Sequence, residues 1–161
     1  MGTVTTVPVR LHLGCGQVRY DGYVGVDINP DVADVVCDLT QRWIWEDSSV
    51  DEIVAEDVFE HLPDKLHTLR ELYRVLKPHG KALVQVPDAS VGGGAFGDPT
   101  HVSLWALESF ASIYMRPSQY HPGGYHFDVH AYPTEEQLIR VGDFYGTRRW
   151  IRAELRAVKE S

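Results

Sequence analysis

The sequence predicts an α/β protein: a three-layer, mostly parallel sheet covered by helices and finished by an antiparallel closing strand. Short apolar runs rich in branched residues recur along the chain, and each stops at a glycine or a carboxylate. Most connections between the runs are too long for hairpins, and one of them repeats its apolar residues at intervals of three and four, the period of an amphipathic helix. Strands alternating with helical connections make a parallel sheet, whose ligands sit beyond the carboxyl ends of the strands.

Residues 7–13 alternate and then break at Gly14-Cys15-Gly16, a buried strand feeding a glycine turn. Tyr23-Val24-Gly25-Val26-Asp27 is a second short strand, punctuated by Asn29-Pro30. Residues 32–37 form a third, ending at Asp38, and residues 50–55 a fourth, ending at Glu56-Asp57. Over residues 63–76, Leu66, Leu69, Leu72, Tyr73 and Leu76 make one helical face, and Lys77-Pro78-His79-Gly80 stops the helix. Residues 82–86 are a fifth strand, closed by Pro87-Asp88. Residues 88–100, with Gly92-Gly93-Gly94 and Gly97, and residues 117–124 read as loops over a site, the first as a lid that closes on a ligand. Between them residues 106–115 predict a short helix with Leu107, Phe110, Ile113 and Tyr114 inward. Thr134-x-x-Gln137 predicts a capping box that opens a helix to about Val141, and residues 150–158 a closing strand.

A chain of 161 residues fits a single domain, 1–161. Hydrophobic residues at 43% and charged residues at 24% are globular proportions and exclude wholesale disorder. Fifteen Lys and Arg stand against 23 Asp and Glu, a formal charge of -8, so the field of the whole protein repels a phosphate backbone and nucleic acid is a disfavoured partner. No stretch approaches the ~20 apolar residues of a membrane span. Cys15 and Cys37 form no Cys-x-x-Cys pair. The expectation is a soluble, cytoplasmic protein with free thiols and no membrane partner.

The strongest chemical constellation is Leu13-Gly14-Cys15-Gly16, then Val24-Gly25-Val26-Asp27, then Asp38-Leu39. Glycines let backbone amides approach a ligand closely, and an acid closing the next strand takes both hydroxyls of a ribose through its two oxygens. That chemistry suits an adenosine. A lone Gly-x-Gly would equally be a plain turn; acids at the tips of strands two and three tip the balance towards function.

Leu11-His12-Leu13-Gly14-Cys15-Gly16, Gly25-Val26-Asp27, Asp38-Leu39, Val58-Phe59-Glu60-His61-Leu62 and Leu72-Tyr73-Arg74-Val75-Leu76-Lys77-Pro78-x-Gly80, in this order, resemble the Rossmann-like class I S-adenosylmethionine-dependent methyltransferases of the type 11 kind. The resemblance covers a cofactor half, about residues 9–88, and is weak over the acceptor loops and closing elements of residues 89–161. It implies that Gly14, Cys15 and Gly16 wrap the methionine part of S-adenosylmethionine, that Asp27 holds the ribose with Ile28 beside the adenine, and that Asp38 and Leu39 meet the adenine edge. Glu56 and Asp57 would lie near the methionine amine, where carboxylates suit a cationic ligand. Glu56, Asp57 and Glu60 also read as a solvated acidic turn and first helical turn.

Two features depart from the family. His12 stands where an acid often precedes the first glycine, and residues 17–23 are too few for the usual crossover helix, so the first crossover is shortened. Cover for the sheet face it would shield is expected either from residues 4–9 or from a second copy in a homodimer. His101 is the first candidate for the catalytic side chain and His61 the second, the latter also readable as a helix-start residue packed under the cofactor. His101, His121, His126 and His130, with Asp128, match no closed tetrahedral pattern, so no metal is expected. Tyr73-x-x-x-Lys77 invites a nicotinamide-dependent reductase, but reads better as a core tyrosine and a solvated lysine at a helix end. The function expected is methyl transfer from S-adenosylmethionine to an oxygen or nitrogen of a small polar acceptor. A non-catalytic S-adenosylmethionine-binding subunit is the alternative.

Overall fold

The computed structural model describes residues 7–91, 93–115, 126–141 and 144–159. Its strands are β1 (Arg10–Leu13), β2 (Val24–Asp27), β3 (Val35–Val36), β4 (Val50–Glu56), β5 (Leu76–Pro87), β6 (Phe127–Pro133), β7 (Gln137–Val141), β8 (Phe144–Arg148) and β9 (Trp150–Ala157). The helices are α1 (Lys65–Val75) and α2 (Leu107–Met115), with a 3-10 turn over Phe59–His61. Seven strands form one sheet in the order β3-β2-β1-β4-β5-β9-β6. β1 to β5 pair in parallel, and β9 runs antiparallel between β5 and β6. The parallel β1–β2 pair holds despite the short connection, with Leu11 opposite Val24 and Leu13 opposite Val26.

The pleat sorts the side chains. Leu11, Leu13, Ile53, Ala55, Ala82, Val84, Val86, Ile151, Ala153 and Leu155 share one face, and their cluster includes Leu69, Leu72 and Val75 of α1 with Phe110 and Ile113 of α2. In α1 the residues Leu69, Leu72 and Val75 are buried, while Leu66 stands exposed at the margin of the predicted stripe. Asp64 caps the helix by accepting the His67 amide at 2.9 Å. α2 buries Phe110 and Ile113, but Leu107 and Tyr114 face solvent, which narrows the inward face read from the sequence. Tyr73 joins the core margin and donates its hydroxyl to the Val158 carbonyl at 2.7 Å, and Lys77 pairs with Asp51 at 2.7 Å.

The opposite face of the sheet carries Glu56, Gln85, Arg152, Glu154, His130 and Tyr132 around a concavity of about 670 Å³. Among the described residues its cover is Tyr20 and Tyr23 of the first connection, not a helix. Polar and charged side chains at alternate strand positions solvate this face themselves, so it needs less shielding than an apolar one. Residues 4–6, half of the segment expected to fold across it, lie outside the described residues, as do residues 117–124.

One prediction is overturned. Residues 137–141 form strand β7, paired antiparallel with β8, not a helix. The Thr134 hydroxyl, expected to cap, instead accepts the Trp150 amide at 3.1 Å, while the Thr134 amide donates to the Trp150 carbonyl at 2.8 Å. The third strand is also shorter than predicted, β3 alone, and β6 went unread although Phe127, Val129 and Ala131 alternate with polar neighbours. No described helix is long and apolar enough to cross a membrane.

Candidate active site

The carboxyl ends of β1, β2 and β4 bring the predicted glycines and acids to one edge of the sheet. Gly14 and Gly16 have φ of +62° and +48°, left-handed values that glycine adopts without strain. A Cβ on Gly14 would lie 2.6 Å from the Val58 side chain, whereas nothing lies within 4 Å of one built on Gly16. The turn is therefore packed from below at Gly14 and open at Gly16. The Cys15 amide still donates to the Val26 carbonyl at 3.1 Å, so β1 leads straight into the turn.

Asp27 ties the two motifs together. Its Oδ2 accepts the Gly16 amide at 3.0 Å and its Oδ1 the Asn29 amide at 2.9 Å. Beside it Ile28 is exposed at 66%, an apolar side chain without cover at a strand end. Asp38 spends Oδ1 on the Thr40 amide and hydroxyl, at 2.9 and 2.7 Å, which hold its carboxyl below the usual range. Leu39 is buried in the core, so its side chain supports the turn from beneath.

His12 is buried, and burial pushes its imidazole pKa down, which keeps it neutral. Its ring lies 4.7 Å from that of Tyr20, and Tyr20 in turn donates its hydroxyl to Glu56 at 2.5 Å. The shortened connection thus folds back over the position where the family often has an acid. Asp57 follows at φ +53° and accepts Trp150 Nε1 at 3.0 Å. A glycine turn with open space at Gly16, a carboxylate at Asp27 and an exposed Ile28 fit a nucleoside with a charged tail.

Glu60 departs from the solvated reading. It is 2% exposed, and neither carboxylate oxygen has a hydrogen-bond partner. Burial pushes its pKa up to about 7. His61 and His101 stand beside it, their rings 4.9 Å apart, with His101 Nε2 3.9 Å from Glu60 Oε1. His61 is exposed rather than packed beneath the site, in the 3-10 turn that follows β4. The loop that carries His101 is fastened to that turn: the Val102 and Ser103 amides donate to the Glu60 carbonyl at 2.9 and 3.0 Å, and the Ser103 hydroxyl to the Phe59 carbonyl at 3.0 Å. Sequence reasoning named both histidines but missed Glu60 as a site residue, because an acid in a first helical turn is ordinarily solvated.

A family profile for the methyltransferase domain matches residues 11–140. No curated protein matches the chain. Solved structures share the fold: an S-adenosylmethionine-dependent methyltransferase from Archaeoglobus fulgidus superposes with a TM-score of 0.65 at 18% identity, covering 92% of this chain and 86% of its own. Phosphoethanolamine N-methyltransferase 2 from Haemonchus contortus, in complex with S-adenosyl-L-methionine, gives 0.64 at 17% identity over 98% of this chain and 50% of its own. YcgJ protein from Bacillus subtilis gives 0.64 at 14% identity over 96% and 94%. With the profile spanning most of the sequence and the strand order as described, the chain belongs to the methyltransferase domain family and is an S-adenosylmethionine-dependent methyltransferase of Rossmann-like class I fold.

Proposed function

We propose that the protein methylates an oxygen or nitrogen of a small polar acceptor that sits against Glu60, His61 and His101. The observation that carries this reading is the position of that corner: it follows directly on β4 and on Glu56 and Asp57, assigned here to the cofactor end, and it sets two histidines beside a Glu60 carboxylate with no hydrogen-bond partner. The Haemonchus enzyme, which shares the fold, was solved with S-adenosylhomocysteine and phosphomonomethylethanolamine, a small polar molecule.

S-adenosylmethionine supplies an electrophilic methyl group on a sulfonium. The chain's part is placement. Gly14, Cys15 and Gly16 hold the methionine part, Asp27 the ribose, Ile28 and the Asp38-Leu39 turn the adenine, and Glu56 and Asp57 the amine. His101 and His61 meet the acceptor's reacting atom and hold it in line with the methyl and the sulfur; alignment of this kind contributes most of the acceleration. The proton that a hydroxyl or amine gives up leaves through the same corner.

Calorimetry with S-adenosylmethionine and S-adenosylhomocysteine, followed by detection of S-adenosylhomocysteine formed with a panel of small amines, phosphorylated amines and polyols, tests the reading. Binding and acceptor-dependent turnover are expected. Cofactor binding with no turnover on any acceptor would favour the non-catalytic subunit instead.

A further inference from the structure

From the geometry of the acceptor corner we infer a binding site for one divalent transition-metal ion, zinc by its donor set, ligated by Glu60, His61 and His101. One ligand atom from each of the three lies within 4.8 Å of the other two. Glu60 is the decisive member. A carboxylate 2% exposed with two unpartnered oxygens is costly to keep, and a cation is the partner that removes the cost.

Both imidazoles have Nδ1 engaged by a backbone carbonyl. His101 Nδ1 lies 3.0 Å from the Ala95 carbonyl, and His61 Nδ1 lies 3.2 Å from the Thr100 carbonyl. A carbonyl only accepts, and the Thr100 hydroxyl, 3.1 Å from His61 Nδ1, gives its own proton to Asp98 at 2.6 Å, so each Nδ1 carries the proton and each Nε2 is left with a bare lone pair. Metal-bound histidines characteristically give their second N–H to such an oxygen, which fixes ring and tautomer. His101 Nε2 and Glu60 Oε1 are 3.9 Å apart, too far for a hydrogen bond, while two ligands on one zinc ion stand about 3.4 Å apart for bonds of 2.0–2.2 Å. Closing the site asks about half an ångström of the His101–Glu60 pair, and at most about 1.4 Å of any pair in the group, which are side-chain rotations rather than backbone movements. Asp98 Oδ2, also 3.9 Å from His101 Nε2, adds negative charge at the rim.

Two imidazoles and one carboxylate are a donor set of zinc sites that keep a coordination position open. The proposal rests on the reading that the acceptor occupies this corner only for its role. There the open position takes an acceptor oxygen or nitrogen, and the ion orients it and weakens its hold on its proton. The binding itself requires no acceptor.

The test is zinc binding by the full chain after chelation and dialysis, measured by calorimetry and by the visible absorption of the cobalt(II) form, with S-adenosylmethionine titrated in the same buffer. One equivalent of zinc is expected to bind saturably. Glu60→Gln and His61→Ala are each expected to weaken it by at least 10–100-fold, the loss typical of disturbed metal sites, and His67→Ala to leave it unchanged. His61 is exposed and Glu60→Gln removes a buried charge, so both variants stay folded, as circular dichroism would verify. Absence of saturable binding overturns the site, and so does binding that survives both variants. Cofactor binding without zinc binding rejects the ion and leaves methyl transfer standing; zinc binding lost in Glu60→Gln without cofactor binding supports the ion and rejects the transfer.

Discussion

Asp27 Oδ2 accepts the amide of Gly16 at 3.0 Å, so the acid at the tip of β2 buttresses the glycine turn at the tip of β1. The two motifs are one structural unit, and Asp27 has a second duty at Asn29 through Oδ1.

Asp27→Ala removes both charge-assisted bonds together with the proposed ribose contact. Each is worth about 1.5–3 kcal/mol net. The expected outcome is a loss of more than about tenfold in S-adenosylmethionine affinity by calorimetry, with the fold intact by thermal scanning, since Asp27 lies outside the core. Asp27→Asn keeps an acceptor oxygen and should fall between. Unchanged affinity in a folded Asp27→Ala protein would remove the ribose assignment.

Arg74 fastens α1 to the chain before β4. It bonds Glu71 Oε1 and Oε2 at 3.0 and 2.7 Å and the carbonyls of Trp43 and Trp45 at 2.9 and 2.8 Å, while Glu71 Oε2 also accepts the Trp43 amide at 2.8 Å. Arg74→Met would leave the largely buried Glu71 carboxylate without its cation. Breaking a buried pair costs roughly 3–5 kcal/mol, and the residual exposure puts the expected loss near the lower end, about 3 kcal/mol by urea denaturation. Glu71→Gln in the Arg74→Met background should return part of it.

Acid will uncover the same group and Asp88. Burial opposes ionisation of both carboxyls, but Arg74 and the Trp43 amide at Glu71, and Ser90 with Arg149 at Asp88, hold their pKa values below the ordinary ones. A depressed folded pKa contributes stability that is complete above the unfolded carboxylate pKa and is lost as pH falls through the folded one. Midpoint denaturant concentrations should therefore fall below about pH 4.5, less steeply in Arg149→Met, where Asp88 loses its cation at 2.7 Å. Equal acid limbs in the two proteins would show that Arg149 does not hold the Asp88 carboxyl down.

His79 and Gly80 predict opposite signs in adjacent positions. His79 is exposed with φ +63°, a conformation costing a side-chain-bearing residue roughly 1–2 kcal/mol, from which the extra unfolded-state freedom of glycine subtracts roughly 0.4–1. His79→Gly should gain about 0.5–1 kcal/mol, a rise of roughly 2–4 °C per kcal/mol in melting temperature. Gly80→Ala should lose stability, because the new Cβ would meet Lys77 O at 3.0 Å and Asp51 O at 3.2 Å, both backbone atoms that cannot easily give way.

The glycine turn, the parallel strands and the first helix were legible because their signals are local. The glycine turn after β1, Asp27 closing β2 and the three-to-four spacing that buries Leu69 and Leu72 each depend on residues within one element or its turn, where backbone sterics and side-chain periodicity dominate. Legible for the same reason was the short first connection, a count of residues. The rest was decided by contacts between distant segments. Thr134 carries a capping signature, but Trp150, sixteen residues on, takes its hydroxyl, and β7 pairs with β8 because a strand partner satisfies a whole ladder of amides where a cap satisfies one. Glu60 is acidic at the start of a helical turn, which by itself predicts exposure to water. Only the tertiary structure lays the 101–103 loop across it, ties Val102 and Ser103 to its carbonyl, removes the water, and sets His101, forty-one residues away, within 3.9 Å of its carboxylate. Sequence spacing has no access to that proximity, since loop closure brings together residues whose separation along the chain carries no periodic signal.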